Sequence, residues 1–179
     1  MEYEIEEWVG VPPDKVYGDQ DLNASILSML RSAIEGTTDP ELGVIIAVLE
    51  AQVASNGVVL PISGDPNVYY LVRYRVLAFE PVLQEVLRGV VKDVKDQGIF
   101  VDIGPVDAFV HRSQISDESL EMLPDRRGFK SIDTGRIIET GDLVRARITQ
   151  ISRPTGGFMR IGMTMRQPYL GKEEQTRRG

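Results

Sequence analysis

The sequence predicts an α+β N-terminal domain of β-α-β-β-β order followed by an all-β barrel. Three observations carry this. The stretch Val86–Ile115 alternates apolar and polar residues, breaks at Gly98 and turns at Gly104-Pro105, as three consecutive strands do. Two more alternating runs follow a long polar connection. Ahead of these, a single apolar stripe at helical spacing stands among β-branched runs.

In the first half, a strand is expected around Tyr3–Val11. Pro12-Pro13 ends it, because proline removes a ladder donor and restricts the residue before it. Asp19 or Asp21 caps a helix over Leu22–Ile34, whose Leu22, Ile26, Leu30, Ala33 and Ile34 form one buried stripe. Gly36 and Pro40 stop it. Leu42–Val53 is nearly continuous and β-branched, so it reads as a central strand. Asn56-Gly57 predicts a type I′ hairpin turn, with Val58–Ile62 returning. Val68–Phe79 follows, with Tyr70, Val72, Tyr74, Val76 and Ala78 on one parity and Arg73 and Arg75 on the other. Glu80-Pro81 is the expected seam between domains, 1–80 and 81–179.

The second half offers five strands: Val86–Lys95, Gly98–Ile103, Ala108–His111, Asp142–Ser152 and Phe158–Met165. Five antiparallel strands with a long connection before the fourth is the layout of an oligonucleotide-binding (OB-fold) barrel. The connection, 116–140, is polar and is expected to be a loop that is functional or partly ordered. The terminal segment from Gly171 is expected to fray.

Charge separates the halves. Residues 1–80 hold 4 Lys+Arg against 13 Asp+Glu, a net of −9. Residues 81–179 hold 16 against 14, a net of +2, which together give the chain's −7. Two domains with different partners are implied. There is no cysteine, which removes disulfide and thiolate chemistry and fits a reducing cytoplasm. The acidic opening is the reverse of a secretory signal. No run approaches the roughly eighteen apolar residues of a membrane span.

No sequence pattern points to an enzyme active site. There is no phosphate-cradling glycine loop with its lysine, no His/Cys cluster at metal spacing, and no nucleophile elbow. Neither metal nor cofactor is expected. The signals that remain suit single-stranded nucleic acid. Phe100, Phe109 and His111 are candidate stacking groups, since bases stack on flat rings with little sequence preference. Phe100 shares a strand face with Asp102, whereas Ile99, Val101 and Ile103 form the apolar row. Core packing is the other reading for both phenylalanines. A structural role is the other reading for His111, the chain's one histidine. Lys92, Lys95, Arg112, Arg145, Arg147, Arg160 and Arg166 are candidates for phosphate contact. Interleaved Asp93, Asp96, Asp102 and Asp142 argue for weak, salt-sensitive binding. Pro168-Tyr169-Leu170 reads either as a docking surface or as chain-end packing.

The run Ala108-Phe109-Val110-His111-Arg112-Ser113-Gln114-Ile115 resembles the third-strand signature of the S1 RNA-binding domain. Four blocks extend the resemblance along the chain: Val11-Pro12-Pro13, 69–81, Gly104-Pro105-Val106-Asp107, and Thr164 through Gly171. Together they resemble the Rpo7 family of archaeal DNA-directed RNA polymerase. Two positions depart from the pattern. Gln97 stands where relatives often have an aromatic, and Ala108-Phe109 stands where many have Gly-Leu.

The resemblance implies a ribonucleoprotein-like tip domain over 1–80 that docks on core RNA polymerase near the clamp. It also implies a non-catalytic stalk built with the small helical protein Rpo4, and an S1 barrel that meets single-stranded nascent RNA. On that reading Lys92, Phe100, Phe109, His111, Arg145 and Arg147 bind RNA. Pro12, Pro13, Tyr70, Tyr74, Pro168, Tyr169 and Leu170 meet protein partners. No membrane is involved. A stand-alone S1 module of exosome-cap or ribosome-associated type, and a structural adaptor without RNA binding, are the competing readings.

Overall fold

The computed structural model describes residues 1–17, 21–62, 64–153 and 158–173. The chain forms two units, Met1–Glu80 and Pro81–Gly179.

The first unit comprises β1 (Glu2–Val11), α1 (Pro13–Val16), α2 (Leu22–Ile34), β2 (Thr38–Asp39), β3 (Gly43–Val53), β4 (Val58–Val59) and β5 (Val68–Phe79). Its sheet runs β1-β5-β3-β2, with β4 also on β5. β5 pairs along its whole length with β1. Its other edge is shared by β3 and, further along, β4. The expected Asn56-Gly57 hairpin therefore does not form. β4 pairs with β5 rather than returning along β3, and neither Asn56 nor Gly57 takes a positive φ. The Ser55 hydroxyl accepts from Leu71 N–H at 2.9 Å and holds the crossing segment to β5.

Helix α2 has the bounds its periodicity predicts. Asp21 occupies the N-cap position without a side-chain bond; Asp19 lies outside the described residues. Ile26 and Leu30 are buried against Val11, Val48, Ala51, Val72, Tyr74 and Val76. Polar residues of α2 and its end finish the strand beside it. Val48 N–H donates to Glu35 at 2.8 Å, Val53 N–H donates to Asn23 at 3.0 Å, and Arg31 donates to Val48 O at 3.1 Å. The face Tyr70–Ala78, expected to meet a partner, is thus the protein's own core. Tyr74 is 4% exposed, and its hydroxyl donates to Glu7 at 2.5 Å. Burial, then that bond, hold its ionisation above the usual tyrosine range.

The second unit holds β6 (Val86–Lys95), β7 (Gly98–Asp102), β8 (Asp107–His111), a 3₁₀ turn (Arg112–Gln114), β9 (Leu120–Met122), β10 (Gly128–Ser131), β11 (Ile137–Glu139), β12 (Leu143–Ser152), β13 (Arg160–Thr164) and β14 (Gly171–Lys172). Five of these close a barrel in the order β13-β8-β7-β6-β12, with β12 returning to β13. β8 and β13 run parallel and the other barrel pairs antiparallel. This is a closed OB-type barrel, preceded by a mixed α/β region. Val91, Ile99, Val101, Ala108, Val110, Val144, Ala146, Ile148, Ile161 and Met163 fill it.

The connection expected as a loop carries its own three-stranded sheet, β11-β10-β9. Phe129 in β10 is fully buried, with the Arg112 guanidinium 5.5 Å from its ring centroid. Residues 171–173, expected to fray, are ordered. β14 pairs with β12, and Glu173 N–H donates to Leu143 O at 2.8 Å. Residues 174–179 lie outside the described residues.

Candidate nucleic-acid interface

The barrel turns every second side chain of β7 and β8 outward, so Phe100, Phe109 and His111 share its outer face. Phe100 and Phe109 are direct cross-strand partners. Their ring centroids lie 5.1 Å apart at 50°. His111 stands edge-on to Phe109, with centroids 6.3 Å apart. Both phenylalanines are half-buried and His111 is exposed. The three rings make a row on the outer face of the barrel.

His111 is held by the turn that follows it. Its Nδ1 accepts from Ser113 N–H at 3.2 Å and lies 2.8 Å from the Ser113 hydroxyl. In the neutral ring the proton therefore sits on Nε2. Beside it is a cavity of about 260 Å³ lined by His111, Arg112, Ser113, Ser116, Glu118 and Leu120. Arg112 closes this end by donating to Leu120 O.

Lys92 lies at a bulge in β6, opposite the β7 stretch that carries Phe100. Its ammonium contacts Asp107 at 2.8 and 3.1 Å, and that pairing holds its ionisation above the usual lysine range. Arg145 and Arg147 occupy a different part of the surface. Arg145 pairs in register with Arg88, five residues along β6 from the Asp93 that faces Phe100. Arg145 and Arg88 both grip Glu173, at 2.9 Å each. Arg147 is half-buried opposite Val86, and its Nε has no hydrogen-bond partner. The six residues expected to bind RNA thus separate into a Lys92–Phe100–Phe109–His111 group and an Arg145–Arg147 group. A strand parity cannot reveal this, because β6 bends and serves one neighbour with each half.

The expected partner-binding residues also scatter. Pro12 ends β1, and its carbonyl accepts from Lys15 and Val16. Pro13 opens α1. Tyr70 packs on the core as Tyr74 does, though half-exposed. Pro168, Tyr169 and Leu170 line a cavity of about 810 Å³ beside the β9–β11 sheet. Tyr169 is 93% exposed at φ 65°. Arg166, one of several basic candidates in the sequence, ties this segment back: it pairs with Asp117 at 2.5 Å and donates to Ser113 O at 3.3 Å. Among the described residues no group of His, Asp or Glu could hold a metal ion. Nor, among the described residues, is any helix long and apolar enough to cross a membrane.

The model of the S1 RNA binding domain matches residues 80–162. The DNA-directed RNA polymerase subunit Rpo7 of Saccharolobus solfataricus is 38% identical over 167 residues, 93% of this chain and 91% of that one. The chain belongs to the archaeal Rpo7 family. Sulfolobus acidocaldarius Rpo7 is 34% identical over 93% of this chain and 88% of its own length. The RNA polymerase II subunit rpb7 of Dictyostelium discoideum is 33% identical over 79% of this chain and 81% of its own. The chain is therefore an RNA polymerase subunit carrying an S1 domain. In this member of the Rpo7 family the Phe100–Phe109 pair and His111 lie inside the S1-matched segment.

Proposed function

We propose that this chain is a non-catalytic stalk subunit that pairs with Rpo4. Residues 1–80 dock on core polymerase near the clamp, and the barrel contacts nascent single-stranded RNA. The cytoplasm is the compartment this reading implies. The observation that carries the RNA half is the ring row Phe100–Phe109–His111 on the outside of an S1 barrel, with Lys92 beside it. Rings side by side on two strands suit successive bases, each stack contributing about 1–3 kcal/mol. Membership of a family of polymerase subunits supports the assembly half.

A barrel without RNA binding is the second reading. The pairing of Lys92 with Asp107 and of Arg145 with Glu173 favours it. The test is the chain co-expressed with the Rpo4 protein of the same organism and titrated with a labelled single-stranded RNA at several salt concentrations. A co-purifying pair whose RNA affinity falls with salt is expected. A free chain that ignores Rpo4 overturns the assembly half. A pair that forms but ignores RNA leaves the adaptor reading.

A further inference from the structure

Arg88 and Arg145 face each other across β6 and β12. Like charges so placed repel unless an anion sits between them. Glu173 supplies one. A single carboxylate oxygen, Oε1, accepts from Arg145 Nη2 at 2.9 Å and Nε at 3.1 Å, and lies 2.9 Å from Arg88 Nε. Arg147 stands two residues further along β12 on the same outward parity, with its Nε buried and without a hydrogen-bond partner. Asp142 is engaged elsewhere, by Lys172 at 2.9 Å.

The hold on Glu173 is slight. It comes from β14, a strand of two residues, and from one further backbone bond, Glu173 N–H to Leu143 O at 2.8 Å. The Arg88 side chain is 65% exposed and that of Arg145 36%. Ion pairs this open to water contribute little, and short edge segments open at low cost.

We infer that Arg88 and Arg145 form a second phosphate site for single-stranded RNA, in which Glu173 occupies the place of a phosphate oxygen until RNA displaces it. Guanidinium forks match phosphate as they match carboxylate. Continuity with the ring row points to RNA as the source of the phosphate. Arg88, Val90 and Lys92, at alternate positions of β6, are all exposed. They span about 13 Å, from the arginine pair to the lysine beside the β7 stretch that carries Phe100. A strand stacked on the rings thus has a cationic path to follow. The inference rests on the RNA-contact reading and adds to it both a site and a brake, because the chain's own carboxylate competes with RNA for the two arginines.

The full chain is titrated with a labelled oligouridine at several salt concentrations. Glu173→Gln is expected to tighten RNA about threefold or more. It is also expected to steepen the slope of log affinity against log salt by about 1, since the freed arginines then release counterions on binding. Glu121→Gln removes the same charge from an exposed position of β9 and is expected to leave affinity nearly unchanged. Arg145→Gln added to Glu173→Gln is expected to cancel the gain. In the wild-type chain, which depends on no variant folding, the Nε–H magnetic resonances of Arg88 and Arg145 are expected to move saturably with RNA. Equal gains from Glu173→Gln and Glu121→Gln overturn the inference, because net charge alone then accounts for them. So does a gain that survives Arg145→Gln, arginine resonances that RNA leaves in place, or an oligoglutamate peptide that moves them as far as RNA does. Phe109→Ala separates this inference from the reading it rests on. Weaker RNA binding in that variant, with Glu173→Gln at the wild-type value, leaves the ring row standing and removes the arginine site. A chain that ignores RNA in every form removes both.

Discussion

Gly98 lies beneath the ring of Phe109. A Cβ on Gly98 would sit 2.9 Å from Phe109 Cζ and would collide with the Val110 carbonyl. The glycine that breaks the sequence alternation is therefore part of the ring row. Gly98→Ala is expected to destabilise the barrel by about 1–3 kcal/mol, because the clash is with backbone that cannot move aside. Chemical denaturation of the full chain measures this, and an unchanged midpoint would refute it.

Phe100→Ala and Phe109→Ala separate stacking from packing. Each ring is half-buried, so each loss should cost less stability than Phe129→Ala, where a fully buried ring leaves a cavity costing about 3–5 kcal/mol. In RNA titrations each ring-row variant is expected to lose about 1–3 kcal/mol of binding. A melting curve for Phe100→Ala or Phe109→Ala as depressed as that of Phe129→Ala, with RNA affinity intact, would make the row a packing device.

Asp107→Asn is expected to strengthen RNA binding. It releases Lys92 from its carboxylate partner and removes a negative charge next to the rings. The slope of log affinity against log salt should steepen by about 1 if the freed ammonium meets one phosphate. Lys92→Ala should flatten it. Identical slopes in the two variants would take Lys92 out of the interface.

Glu118 couples the β9–β11 sheet to acid. Bonds from Ser131 and then Thr134 hold its ionisation below the usual carboxylate range. A depressed carboxylate contributes stability that is present above its unfolded pKa and lost as pH falls through the lower folded one. Amide protection in β10 should therefore decay with acid below the ordinary glutamate range, and Glu118→Gln should show a flatter profile. A variant with the wild-type acid profile would assign the decay to other groups.

Tyr169 stands at a backbone angle that suits glycine, fully open to solvent. With Leu170 N–H donating to Gln167 O at 3.2 Å, it takes the third place of a tight turn. Tyr169→Gly is expected to leave stability unchanged or raise it by up to about 1 kcal/mol. Weaker association with Rpo4 in the same variant would show that the ring is kept for contact. A fall in stability would mean instead that it packs.

The helix Leu22–Ile34 and the strands Val68–Phe79 and Val86–Lys95 are legible because long periodic runs carry their own phase. The Asn56-Gly57 signal misleads because pairing partners are chosen in three dimensions. β5 offers β4 an edge that β3 has already left. The β9–β11 sheet hides in charged sequence because its strands are three or four residues long, too short for alternation to register. Its one strong sign is Phe129 between Gly128 and Lys130. Tyr74 illustrates the converse limit. Parity correctly groups it with Val72 and Val76 but cannot say whether α2 or another chain covers them. Phe100, Phe109 and His111 lie together because they are neighbours on two consecutive strands. Arg145 and Arg147 lie apart because their strand pairs with residues 86–90 of β6, whereas β7 pairs with residues 90–95.

The two sides of the N-terminal sheet are unequal. Along β3, Val48 and Val53 spend their outward amides on Glu35 and Asn23, and Ile45 bonds Thr37 and Gly36 across β2. These outward groups of β3 are already bonded. The margin of β3 beside α2 thus offers few free amides to an incoming strand, which guards that part of the sheet against edge-to-edge pairing. In a chain rich in β-structure, the helix that covers the core therefore also shields the strand beside it from aggregation.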